Sequence, residues 1–228
     1  MSEMKISVSS NPRSIVKPYD LELKSDPSAL VQKAAARRDI GTCTSCGFTS
    51  ARYMRVVPAR ENAIAPSDYR TVCPYCWQVS HLDVAARQRS AELVWMPELS
   101  QREINREMPQ LYAERLRVKT PLKNSIKQLL DLADARRAAA SEKLGGKKTD
   151  KLKDLFRETP VGTPPFMEKL EEGFRVWPLD RMILKAGQME YNQFPQMLAF
   201  WRSRSGPLSG DAPRLAITVQ DWLKRLSA

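Results

Sequence analysis

The stretches CTSC at 43–46 and CPYC at 73–76 hold all four cysteines of the 228-residue chain. Paired C-x-x-C units present four thiolates at a spacing that suits one tetrahedral ion, and a reducing compartment keeps them from closing as disulfides. The 26 residues between Cys46 and Cys73 exceed the roughly 15 to 20 of a common zinc ribbon, yet fit the same plan. Each unit predicts a tight knuckle whose backbone amides face the sulfurs. Gly47 follows the first pair where such a turn tolerates positive φ, and Pro74 stiffens the second knuckle. With Cys43, Cys46, Cys73 and Cys76 as ligands the shell closes on one structural Zn²⁺. Two alternatives use the same residues: a redox dithiol, which wants a single C-x-x-C in a βαβ setting, and an iron–sulfur cluster.

Outward from the cysteines, DPSALVQKAAARRD (26–39) predicts a helix, with Asp26 as N-cap and Pro27 at the first helical position, leading into the first knuckle. MKISV near the start reads as an edge strand of an extended arm. Between the knuckles, ARYMRVVPA (51–59) and DYRTVC predict a hairpin-like excursion, and the segment from Trp77 to Ala91 starts as a helix. ELVWM (92–96) is a buried strand, Pro97 a turn, and Ser100 with Glu103 forms the S-x-x-E pattern of a capping box. The helix starting there carries Ile104, Met108 and Leu111 at helical spacing, and Pro109 threatens a kink or break. Residues 121–144 form a second amphipathic helix with Ile126, Leu129, Leu130 and Ala133 on one face. Shorter helices are expected at 151–158, 165–174, 179–187 and 193–203. SGPLSGDAP (205–213) reads as a linker before a terminal amphipathic helix.

The expected fold class is therefore α+β, mostly helical: an N-terminal arm and helix (1–36), a four-cysteine zinc module (37–97), a helical region (98–204), and a linker with a terminal helix (205–228). Apolar residues make up 42% and charged residues 28%, an ordinary balance for a folded chain. No stretch approaches the roughly 20 apolar residues of a membrane span, and the N-terminus lacks the apolar core of a secretion signal, so the expected location is cytoplasmic. The net charge of +11 raises nucleic-acid binding. The charge is spread thinly: 13 basic against 9 acidic residues in 1–97, 15 against 10 in 98–158, and 9 against 7 in 159–228. Only KLGGKKTDKLKD (143–154) is dense in lysine, and its glycines suit a solvated loop.

Two knuckles bracketing a hairpin, followed by a helix, resemble the ββα-metal core of HNH endonucleases. Those enzymes need a base, usually histidine, on the first strand of the hairpin, and ligands for a catalytic metal. Here Met54 and Arg55 occupy that stretch, and neither serves as a base at neutral pH. His81, the chain's one histidine, matches the spacing of that family's last metal-binding histidine but cannot alone hold a metal and activate water. It reads as a helix-end or surface residue. Asn62, in ENAIAP, needs no role beyond a turn.

RRDIGTCTSCGF, CPYCWQ and ELVWMPELSQREIN resemble the zinc-containing IcmJ/DotN proteins of type IVB (Dot/Icm) secretion systems and their conjugative relatives, over roughly residues 37–108. The resemblance implies a degenerate HNH-like zinc fold without catalytic activity, with the four cysteines as zinc ligands. It also implies a partner, a DotL-like type IV coupling ATPase with the other coupling-complex subunits, and through them association with the cytoplasmic face of the inner membrane. A DNA-binding module on an HNH-like frame is the alternative, and an active nuclease is disfavoured by the missing histidine at 54 or 55. FWRSR (200–204) and DWLKRL (221–226) combine Trp and Arg, as interface centres do, although the plainer reading of Trp201 and Trp222 is as buried core anchors. Trp95 reads as core and Trp77 as a shield for the thiolates.

Overall fold

In the computed structural model the described residues are 27–59, 63–146, 173–186, 188–210 and 213–227. The expected MKISV strand, the Asp26 cap, Asn62, the lysine-rich run beyond 146, the helix at 151–158 and nearly all of that at 165–174 lie outside them.

Helix α1 (Pro27–Arg38) starts on proline, which suits a position whose N–H has no helical partner. The hairpin follows: β1 (Arg55–Pro58) pairs antiparallel with β2 (Tyr69–Val72), with Arg55 opposite Val72 and Pro58 opposite Tyr69. A single 3₁₀ turn, Pro66–Asp68, leads into β2. The chain then enters α2 (Pro74–Val79) and α3 (Leu82–Gln88). Strand β3 (Ala91–Trp95) leads through the Pro97 turn to α4 (Gln101–Arg115), where Ser100 and Glu103 form the expected capping box. The helix runs through Pro109. An internal proline costs about 3 kcal/mol, and burial of Ile104, Met108, Leu111 and Tyr112 on both sides of it supplies the offsetting packing. Helix α5 (Lys123–Lys143) buries Ile126, Leu129, Ala133 and Ala140.

Within 98–204, the region expected to be helical, three strands occur. Strand β4 (Phe174–Pro178) pairs antiparallel with β3 from far along the chain, Trp95 opposite Phe174 and Leu93 opposite Val176. Strands β5 (Ile183–Ala186) and β6 (Met189–Asn192) make a hairpin where a helix was expected at 179–187. The physical reason is pairing. FRVWP lays Val176 beside the apolar β3, and the sequence between Ala186 and Met189 is Gly-Gln, a glycine-first pair suited to a two-residue hairpin turn. Helix α6 (Phe194–Arg202) follows as expected, and α7 (Pro213–Ser227) closes the chain.

The expected linker is also corrected over its described part. Residues 203–210 turn back on α6: the Leu208 amide donates to the Trp201 carbonyl at 2.8 Å and Leu208 is buried. A Cβ on Gly206 would lie 2.2 Å from the Phe200 carbonyl oxygen and 2.3 Å from that of Trp201, so only glycine fits this return.

Leu215, Val219, Trp222, Leu223 and Leu226 of α7 are buried at i, i+4, i+7, i+8 and i+11, a stripe that packs α7 on α5 and α4. Two apolar clusters result. The larger contains the four cysteines with side chains of α4, α5, α6 and α7. The smaller joins α2, α3, β3, β4 and the end of α5. Here Glu92 of β3 is buried but accepts from Arg137 of α5 at 2.9 Å, which satisfies the charge.

Candidate metal centre

The first knuckle is a loop tied down by backbone hydrogen bonds. The Cys43 amide donates to the Phe48 carbonyl (2.8 Å), the Gly47 amide to the Cys43 carbonyl (2.9 Å), and the Thr44 amide to the Thr71 carbonyl of β2 (2.9 Å). Gly47 has φ of +85°, the conformation expected of it. Arg38 and Asp39 clamp this loop to the hairpin. The Thr71 amide donates to Asp39 Oδ2 at 2.8 Å, while Arg38 reaches Asp39, the Pro66 carbonyl and the Tyr69 carbonyl. Partial burial pushes the Asp39 carboxyl upward, but hydrogen bonds from Arg38 and Thr71 hold it below the usual carboxylate range.

The second knuckle is a helix start. Cys73 is the N-cap of α2, its sulfur accepting from the Cys76 amide at 3.4 Å, and Pro74 fills the next position. All six residues of α2 are buried.

The two knuckles bring the four sulfurs within 4.8 Å of one another, and all four cysteines are buried and unbonded to each other. Cys46 Sγ and Cys73 Sγ are 3.7 Å apart. A tetrahedron with metal–sulfur bonds of about 2.3 Å has edges of about 3.8 Å, so this separation fits one central ion. It is far from the roughly 2.05 Å of a disulfide. Burial pushes the Cys73 thiol up, interaction with Cys43 pushes Cys76 up, and hydrogen bonding from Cys46 first among its neighbours draws Cys43 down. Several buried thiolates need a cation to coexist, and loading one releases protons. Four buried cysteines therefore form a group that could hold a metal ion, with sulfurs enough to fill a tetrahedral shell.

Other residues singled out by sequence lie around this group without joining it. Among the described residues the group that could hold an ion is the four cysteines, and His81 is not part of it. His81 is the N-cap residue of α3; its Nδ1 lies 2.9 Å from the Trp77 carbonyl, so Nδ1 carries the proton. Its ring stacks on Trp77 at 4.6 Å, and burial lowers its pKa. Arg55 lies over the Trp77 ring at 3.9 Å, and Met54 packs against the core. Neither supplies a base. Trp77 is buried, whereas Trp95, expected in the core, is partly exposed, with Phe174 at its edge and Lys143 over its ring. Trp201 and Trp222 are fully buried, so the interface alternative for these two rings falls. Trp201 packs edge-on to Phe48 at 5.2 Å and Tyr75 at 6.2 Å, touching both knuckles.

Sequence reasoning missed Gln101 and Asn105. Asn105 Nδ2 donates to Cys76 Sγ at 3.4 Å. Gln101 Nε2 donates to Asn105 Oδ1 at 2.9 Å and to the Val176 carbonyl at 2.8 Å, and the Val176 amide donates to Gln101 Oε1 at 2.7 Å. Both amides are buried. Their i, i+4 spacing beside Ile104 and Met108 was the available signal.

Compared with known proteins, the chain matches no family model and no curated sequence. Among the described residues no helix is long and apolar enough to cross a membrane.

Proposed function

We propose that this chain is a non-enzymatic, zinc-stabilised subunit of a type IVB secretion or conjugation coupling complex. In this role a degenerate HNH-like frame docks on a DotL-like coupling ATPase at the cytoplasmic face of the inner membrane and helps to recruit substrates. One observation carries the reading. The three sequence stretches that resemble the IcmJ/DotN family all converge on the cysteine cluster: Arg38 and Asp39 clamp the first knuckle, CPYCWQ forms the second, and Gln101 and Asn105 support Cys76. Four cysteine ligands leave a zinc ion no open position for water. The hairpin stretch offers Met54 and Arg55 where a nuclease needs its base.

With Trp201 and Trp222 buried, the docking surface is built from other side chains. The first test is elemental analysis of the purified chain, with a plasmid-nicking assay in Mg²⁺ and Mn²⁺ and capture of a coupling ATPase's C-terminal region. One zinc per chain, no nicking and retention of the ATPase segment is the expected result. Nicking abolished by His81→Ala would overturn the non-enzymatic reading. Duplex DNA binding with a steep salt dependence would favour the DNA-binding alternative.

A further inference from the structure

A thiolate can only accept hydrogen bonds, which fixes the direction of every amide behind it. For Asn105 to present Nδ2 to Cys76 Sγ, its Oδ1 must face Gln101. Gln101 must then offer Nε2 to Asn105, and its Oε1 is left for the Val176 amide. The observed bonds run in this order without interruption, at 3.4, 2.9 and 2.7 Å. Gln101 also donates to the Val176 carbonyl, so its side chain pairs with β4 as a short strand would. The whole run is buried, Asn105 completely, so each donor acts in a low dielectric and cannot be replaced by bulk water.

We infer that Asn105 is a positioning residue for the Cys76 thiolate, and that Gln101 locks its orientation by tying it to β4. Only Cys76 receives an amide side chain in this way among the described cysteines; Cys73 instead accepts a backbone N–H within its own knuckle. The hydrogen bond lowers the energy of the sulfur lone pairs and spreads the negative charge of a four-thiolate site, so that Cys76 stays on the metal. It also makes metal retention and the seating of β4 mutually dependent, since a coupling between two sites acts in both directions. This inference rests on the metal reading of the cysteine cluster.

Asn105→Asp is the discriminating variant. It keeps the shape and the acceptor for Gln101 but turns an oxygen toward the sulfur. Asn105→Leu removes the donor without adding charge and serves if the aspartate variant fails to fold. Full-length wild type and variants are loaded with Co²⁺, whose thiolate charge-transfer band reports sulfur lone-pair energy directly. Zinc release to a colorimetric chelator and hydrogen exchange at the Val176 amide are followed in parallel. The expected result is a shift of the charge-transfer band to longer wavelength in both variants, larger for aspartate, with zinc release faster by about 10- to 100-fold. Val176 exchange should rise on zinc removal in the wild type and be high in Asn105→Leu whether or not zinc is bound. An unshifted band in a folded, Co²⁺-loaded Asn105→Leu would overturn the inference and leave the metal reading standing. A wild-type chain that takes up neither Co²⁺ nor Zn²⁺ would overturn both.

Discussion

Cys73 and Cys76 sit on the first turn of a helix whose every residue is buried, with a proline setting the turn and an asparagine bound to one sulfur. Cys43 and Cys46 sit on a loop whose tips, Thr44, Gly47 and Thr49, are exposed and whose shape rests on a few backbone hydrogen bonds and the Arg38–Asp39 clamp. The same C-x-x-C spacing is thus built once by a core and once by a loop. The contrast implies a division of labour. The second knuckle is expected to hold its shape through packing and the first to depend more on a bound ion, because its exposed tips leave it less buried area to offset its ordering entropy.

Removing the metal should give the largest separation of the two. Structural zinc contributes on the order of 10 kcal/mol to small metal-held folds. Treatment with excess chelator should raise amide exchange across residues 42–50 to that of an open loop while 74–79 stays protected; equal loss at both would end the distinction. Next in size is Trp201→Ala. The ring is fully buried against Phe48 of one knuckle and Tyr75 of the other, and its removal should cost about 3 to 5 kcal/mol in denaturant unfolding of the metal-loaded chain. Here the effect should fall on both knuckles alike.

Two glycines sharpen the description of the first knuckle. Gly47→Ala, at φ of +85° with open space around it, should cost about 1 kcal/mol of backbone strain. Gly41→Ala should cost more, since its Cβ would sit 2.5 Å from the Ser50 carbonyl oxygen. A reversed order in thermal unfolding would show that the loop relaxes around residue 41. The smallest effect concerns the support of the second knuckle. Burial raises the Glu103 carboxyl, but hydrogen bonds from Arg225 and from Ser100 bring it down to about 2. Because the folded value lies below the ordinary one of 4.5, this contribution is complete above pH 4.5 and is lost as pH falls toward 2. A double-mutant cycle of Glu103→Gln and Arg225→Met should give under about 1 kcal/mol at pH 7, since both groups are partly exposed, and should shrink over that acid range.

Much of this was legible in the sequence where local rules act. The cysteine spacing, the Ser100–Glu103 box, α1, α4 and α5 each follow from residues close together in the chain. Pro109 was read correctly as a hazard, yet burial on both sides of it decided the outcome. The failures come from long-range pairing. FRVWP becomes a strand because β3 lies beside it, a fact absent from its own few residues, and the Gly-Gln signal for the next hairpin was passed over in favour of a helix. The segment SGPLSG has linker composition, and only the close approach of Gly206 to the Trp201 backbone reveals it as packed. Asn105 was hidden for a related reason: an amide on a buried helix face gives no sign of its partner until the fold brings a sulfur to it.

The placement of Trp201 also has a consequence for biosynthesis. All four thiols have left the ribosome when residue 76 has, but the indole that packs against both knuckles is encoded about 125 residues later, which at 5 to 20 residues per second is a delay of roughly 6 to 25 seconds. During that interval the nascent chain carries the four thiols without the ring that later packs against both knuckles. An ion bound in that interval would meet open thiols, whereas one bound later would have to reach cysteines already packed with side chains of the C-terminal helices.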